Sequence, residues 1–475
     1  MVRILSLCAA VLATAQFSRG EGPIREKFTL PGYSQGGVVV DGAAYFTADD
    51  AVPDGFPCVG SFDARTGRKI REYAFENTFD SSPLVMRRND GRWLVLAHEC
   101  KKAWTKAMFR DDGTEAWTSP ANQPGNWFFG YTYYVAGGNS TLVLTESENG
   151  LHANSLEDGS EKWWVERSGG MTPAVDQERG LVYYQSNGRL DRIEAATGRV
   201  QKSVAVDSPS ICQSANTILV KDGSGYFIAT YWFGEDYYAS SIRVYDKNLD
   251  LVWEKKGLPL WQKYVPTYHG GQLFIAGQGT GNGFLYYTPY ADDRWKFVMA
   301  LDIRTGREIW RRDLREFNYA MMANMIYADG LLVAETQGES KGQTYQVFVF
   351  DAGKGRLLSV FDSRRYATSC AQPLLCNGLL FSGDLISDKI FVMQVGVGVN
   401  RDWPGPFGDP QLNHMAVSED RGYFHQYWKR PRTDGGRWVL LSRNGRIFLS
   451  EAPLEGQAKS VTRISDPMGR FLPAQ

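Results

Sequence analysis

A few side chains in this 475-residue chain are of types that do chemistry, and their spacing sets the first questions. His98, one of only five histidines, ends the run LVLAHEC. An imidazole at the mouth of a cleft can take or give a proton near neutral pH. The alternative is a histidine satisfied by neighbouring backbone. Arg364, Arg365 and Tyr366 are consecutive. Paired guanidinium groups suit a carboxylate or sulfate, or else form a solvated charged pair. Tyr231 and Tyr238 lie with Trp232 and Tyr237 in YWFGEDYYASS. Such aromatics serve as sugar-stacking platforms or pack a loop on itself. Cys370, His414 and His425 offer a His, His, Cys set suited to Zn²⁺. No CxxC or HExxH spacing accompanies them, and ordinary core residues are the favoured alternative.

What positions these residues is a repeat. VMALDIRTGREIWRRDL (298–314) is its clearest copy; others begin at GSFDARTGRKI (60–70), MFRDDGTEAWT (108–118), NSLEDGSEKWW (154–164), IEAATGRVQKS (193–203), VYDKNLDLVWE (244–254) and VFDAGKGRLLS (349–359). Gly67, Gly113, Gly159 and Gly198 are 46, 46 and 39 residues apart, and Gly306 and Gly355 are 49 apart. Alternating apolar residues, an Asp-x-x-Thr-Gly turn and a following strand with Trp describe a tight hairpin. Glycine accepts the positive φ of the turn, the short polar side chain before it caps the turn, and the Trp packs between neighbouring sheets. Ahead of each copy lies a second glycine hairpin, such as VVVDGAAYF (38–46), MIYADGLLVAE (325–335) and PLLCNGLLFSG (373–383).

Two hairpins make four strands, one blade of a propeller. The fold class is therefore all-β, a β-propeller of four-stranded antiparallel blades. Eight hairpin pairs, with a ninth irregular stretch after residue 395, set the blade number at eight within a range of seven to nine. One propeller domain is expected over 23–475. The repeat Ala-Leu-Asp-x-x-Thr-Gly-x-x-x-Trp, as in ALDIRTGREIW (300–310), resembles that of the pyrroloquinoline-quinone-type (PQQ-like) propellers over nearly the whole chain.

Residues 1–15, MVRILSLCAAVLATA, read as a cleaved signal peptide with Arg3, an apolar stretch and Ala-Thr-Ala. The expected location is secreted or periplasmic. No later window reaches about 18 apolar residues, so no membrane span is expected. A net charge of −1 argues against nucleic acid as partner. Cys58, Cys100, Cys212, Cys370 and Cys376 remain, an odd number, too few for a disulfide scaffold. A monomer is expected.

Strands of each blade are lettered A to D from the channel to the rim. The tight A–B and C–D hairpins share one face, and the longer B–C and D–A connections share the other, which has room for function. Gly378 and Gly422 align as A–B turn glycines, placing Cys370 and His414 at matching entries to innermost strands. A turn symmetric about residues 419–420 sets His414 across from His425.

The PQQ-like resemblance spans quinone-dependent dehydrogenases, noncatalytic outer-membrane assembly scaffolds and other secreted proteins. The dehydrogenases carry adjacent cysteines and a Ca²⁺ carboxylate set. No Cys-Cys pair occurs here, so no PQQ is expected. A second resemblance, of fold and residue types, is to propeller polysaccharide lyases such as the ulvan lyases. It implies Arg365 as neutraliser of a uronate carboxylate, His98 as base, and Tyr231, Tyr238 or Tyr366 as acid, with structural Zn²⁺ on Cys370, His414 and His425. The expectation is thus a secreted propeller that binds an acidic polysaccharide on its loop-rich face and cleaves it by β-elimination. The alternative is a noncatalytic binding or assembly scaffold; a quinone-dependent dehydrogenase ranks third.

Overall fold

Strands form where the alternation predicts them, because residues on one face of each hairpin are apolar and those on the other meet the next sheet. The computed structural model describes residues 24–395 except the segments 32–36, 41, 48–58, 76–82, 100–103, 120–131, 138–139, 148–149, 167–172, 187, 207–214, 233–239, 259–265, 278–295, 318, 320, 329, 338–344, 363–373, 377–378 and 385–388. Beyond 395 it describes strands 425–431, 437–443, 446–452 and 462–465. The leader expected at 1–15 lies outside the described residues.

Two compact units divide the chain at Ala416. The first holds eight four-stranded antiparallel sheets. Blades 1 to 7 cover 37–73, 84–118, 132–166, 174–205, 215–258, 267–313 and 321–362, with their four strands in chain order. Blade 8 takes three strands from 374–394 and its outermost strand, Arg25–Pro31, from the amino terminus. That strand closes the ring: Phe46 of blade 1 packs on Phe381 of blade 8 at 5.6 Å between ring centroids. The second unit is one four-stranded sheet whose central strands are Arg437–Arg443 and Arg446–Ala452. Among the described residues no helix is long and apolar enough to cross a membrane.

The repeat motif is the joint between blades. Asp302 Oδ1 accepts from the Thr305 amide at 2.9 Å and its hydroxyl at 3.0 Å, and Gly306 closes the turn onto the Asp302 carbonyl. Asp63 is bonded in the same way, and the Thr66 hydroxyl holds its carboxyl below the usual range. In blades 1, 4, 6 and 7 the C–D turn is pinned to the A–B turn of its own blade, as where the Ile303 amide donates to Gly271 O at 2.9 Å. Both kinds of tight turn therefore share one end of the ring, as expected.

Onto this turn the preceding blade lays an indole. Trp117, Trp163, Trp253 and Trp310 donate to the carbonyls of Leu156, Ala195, Ile303 and Ala352 at 2.8, 2.8, 2.7 and 2.9 Å. Their rings cover Gly159, Gly198, Gly306 and Gly355 so closely that an added Cβ would meet them at 2.5, 2.7, 2.7 and 2.3 Å. At the closure Phe28 of the amino-terminal strand covers Gly67 in the same manner.

Two glycines of blade 7 separate backbone strain from this close approach. Gly330 has φ +82° with open space around it, whereas Gly355 has φ +67° beneath Trp310. Gly330→Ala should cost about 1 kcal/mol, the left-handed strain alone. Gly355→Ala should cost about 3 kcal/mol, since overpacking adds to that strain. Urea unfolding of both variants checks the difference; equal losses would contradict the close-approach account.

Candidate functional site

The B–C/D–A end of the ring carries a belt of buried polar residues. Five residues past the A–B turn glycine stand Thr47, Gln185, Thr230 and Glu335 in blades 1, 4, 5 and 7. All four are buried, as are Thr145 of blade 3 and Ser382 of blade 8. The sequence shows the signal as an apolar B strand that turns polar at its end: AAYFT, LVYYQS, LLVAETQ. Sequence reasoning missed it by looking for reactive types in the loops.

Within the belt some groups are joined across blades and others are not. Thr105 of blade 2 and Thr145 of blade 3 share a hydrogen bond of 3.0 Å. Gln185 Nε2 and Oε1, Thr217 Oγ1, Thr230 Oγ1, Ser241 Oγ and Glu335 Oε1 are buried with no hydrogen-bond partner among the described residues. Such groups are costly to leave unmade and call for water or a bound group.

Glu335 is the belt's most perturbed acid. It is 1% exposed. Its Oε2 accepts from the Tyr345 hydroxyl at 3.1 Å and from Ser382 Oγ of blade 8 at 2.5 Å. Burial pushes its pKa up to about 8, despite the lowering effect of both hydroxyls. At neutral pH it is therefore largely a neutral acid bridging blades 7 and 8.

At the tight-turn end, by contrast, ionisable groups close into networks. Asp176 accepts from Lys221 Nζ at 3.1 Å and the Tyr226 hydroxyl at 3.0 Å, and Tyr226 shares a 2.6 Å bond with Tyr183. Burial, then Tyr183 and Asp176, raise the Tyr226 pKa and keep it protonated. Tyr268 donates to Asp222 at 2.5 Å and accepts from the Gly271 amide at 2.8 Å.

The residues singled out by chemical type are not brought together where they are described. His98 is the penultimate residue of Trp93–Glu99, opposite Thr105 in blade 2. Tyr231 lies in Gly225–Trp232 of blade 5, opposite Asn216 and Ile242 and three blades away. His425 opens His425–Pro431 in the second unit and pairs with Ser442. Tyr238, Arg365, Tyr366, Cys370 and His414 lie outside the described residues. Among the described residues no three His, Cys, Asp or Glu side chains cluster as a metal site would need.

Comparison with known proteins bears on both fold and function. Residues 101–231 match the family model described as outer membrane protein assembly factor BamB, a PQQ-like repeat family. The protein of that name from Moranella endobia (strain PCIT) is 24% identical over 297 residues, 59% of this chain and 67% of the relative. The crystal structure of BamB from Moraxella catarrhalis superposes with a TM-score of 0.53 at 12% identity, covering 78% of this chain and 99% of that one. A quinohemoprotein alcohol dehydrogenase from Pseudomonas putida HK5 superposes with a TM-score of 0.55 at 12% identity, over 82% and 78% of the two chains. These two likenesses show the fold. Together the matches bear out the PQQ-like propeller expected from the repeats.

They overturn the expected enzyme. The family model and the curated relative both carry the name of an assembly factor, and neither supports a polysaccharide lyase. The physical reason for the error is that a propeller face collects His, Tyr and Arg whether or not they converge, and fold does not dictate chemistry.

The raised pKa of Glu335 gives a signed prediction. The unfolded carboxyl ionises near 4.5, the ordinary glutamate value, the folded one near 8. Stability from this group is full below pH 4.5 and is lost as pH rises through 8. Glu335→Gln should flatten that fall and raise stability at pH 8.5 relative to the parent, by an amount on the order of 3 kcal/mol. Urea midpoints of both proteins at pH 4.5 and 8.5 check it; parallel curves would contradict the assignment.

Proposed function

We propose that this protein is an exported, noncatalytic scaffold that holds polypeptide partners on its B–C/D–A face during assembly of outer membrane proteins. The observation that carries the reading is the match of residues 101–231, from the outer strands of blade 2 to the first two strands of blade 5, to a family named for that role. The leader-like sequence at 1–15 supports export. The architecture suits a platform: indole docks fix blade to blade, while one end of the ring presents long connections over a polar belt. No step of bond making or breaking is assigned to the ring.

The reading predicts a loss in assembly rather than in metabolism. In the organism that makes this protein, deleting it should lower the amount of folded, heat-modifiable outer-membrane β-barrel proteins by at least about twofold, with recovery from a second gene copy. Unchanged levels of folded barrels across several such proteins would contradict it.

A further inference from the structure

The charge of this chain is unevenly divided. Residues 417–475 hold ten Lys or Arg and six Asp or Glu, a net +4, whereas the other 416 residues hold 42 and 47, a net −5. Residues 417–475 are the second compact unit, and they lie beyond the segment matched by the family model. The bias is sharper in the sheet itself. Its four strands, His425–Pro431, Arg437–Arg443, Arg446–Ala452 and Thr462–Ser465, carry six Lys or Arg and one acid, Glu451.

Register sorts these residues between the two faces, because directly paired residues, and every second residue along a strand, share a face. One face takes Lys429 with Val439, Arg437 with Pro431, and Arg443 with Arg446. Between the arginine pair and Lys429 runs an apolar row, Leu441, Phe448 and Ile464. No acid of the described strands falls on this face. The other face takes Arg430, Arg463 and Glu451, with Arg430 and Glu451 on either side of Trp438.

The pairing of Arg443 with Arg446 breaks a local rule. Like charges set directly opposite each other across a hairpin destabilise it. An acid at either position would remove that cost and supply a cross-strand ion pair. A sheet that keeps two arginines in register, with Lys429 and Arg437 on the same face, suits an anion supplied from outside. Neighbouring guanidinium groups match phosphate oxygens, which they meet through paired N–H donors. Two further observations bear on how that phosphate arrives. Val439, Leu441, Phe448 and Ile464 share the face with the cations, so it fits a surface that is anionic and apolar at once. The leader-like sequence at 1–15 supports export, toward membranes and away from nucleic acid.

We propose that the basic face of the carboxy-terminal sheet binds the phosphate headgroups of an anionic lipid surface. Arg443 and Arg446 hold one end of the face, Lys429 and Arg437 the other, and the apolar row between them meets the boundary of headgroups and acyl chains. This contact is separate from the partner-holding role proposed for the ring.

Flotation of the intact protein with vesicles tests this. Vesicles of phosphatidylcholine with about one third phosphatidylglycerol should retain at least about tenfold more protein than phosphatidylcholine alone, and added salt should weaken the binding. Arg443→Gln with Arg446→Gln should lower the partition coefficient about 25-fold, since each basic residue at such a surface is worth about fivefold. Arg430→Gln with Arg463→Gln removes the same charge from the other face and should lower it at most about threefold, the effect of net charge alone. Equal retention of the parent protein by both kinds of vesicle would overturn the proposal, whether or not any variant folds. Equal losses in the two folded double variants would overturn it as well, because they would report net charge and not a face. Tighter binding to a single-stranded oligonucleotide than to the anionic vesicles would overturn it in favour of nucleic acid.

Discussion

An indole lying on a glycine turn is the interaction on which this structure depends. Each of four blades offers a Trp from its outermost strand, and each following blade offers a glycine with positive φ and a free carbonyl. The contact needs both partners. A Cβ would intrude on the ring, and without the ring the turn carbonyl loses its donor. The pair joins blades 2 and 3, 3 and 4, 5 and 6, and 6 and 7. The Phe28–Gly67 contact at the closure shows the same rule met by a different ring.

Fixing the tight-turn end this way leaves the other end free to vary. Ionisable groups near the tight turns are tied into closed networks such as Asp176–Lys221–Tyr226–Tyr183. At the opposite end, strands finish in Thr, Gln and Glu, and several of these are buried without partners. On the reading proposed above, the polar, loop-bearing end of the ring serves to hold a partner. It needs no reactive constellation, which agrees with the scattered placement of His98 and Tyr231.

Much of the architecture was legible because the dock is written in contiguous residues. DIRTGREIW carries the turn, the glycine and the indole within a few positions, and runs of this type mark the C–D hairpins of seven of the eight blades observed. The closing strand Arg25–Pro31 was not legible. REKFTLP has no hairpin partner beside it, and its mate Lys389–Gln394 lies at the far end of the ring. The turn DKNLD was recognisable as a repeat, but nothing local said that its Leu249 takes the positive φ that glycine takes in the other copies. Function was the least legible. Glu335 sits in an ordinary-looking LLVAETQ, its neutral state set by burial against the lowering effect of a serine 47 residues away, while the more conspicuous His98, Arg365 and Tyr366 suggested a lyase that the family match overturned.

The account rests on the claim that glycine and indole are selected by each other. A double-mutant cycle on Trp310→Ala and Gly355→Ala measures that directly by urea unfolding. With the ring removed, the alanine at 355 should lose its clash and retain only the cost of positive φ. The two changes together should then be less destabilising than their sum, by about 2 kcal/mol. Strict additivity would show that turn and ring are independent, and would contradict the docking account.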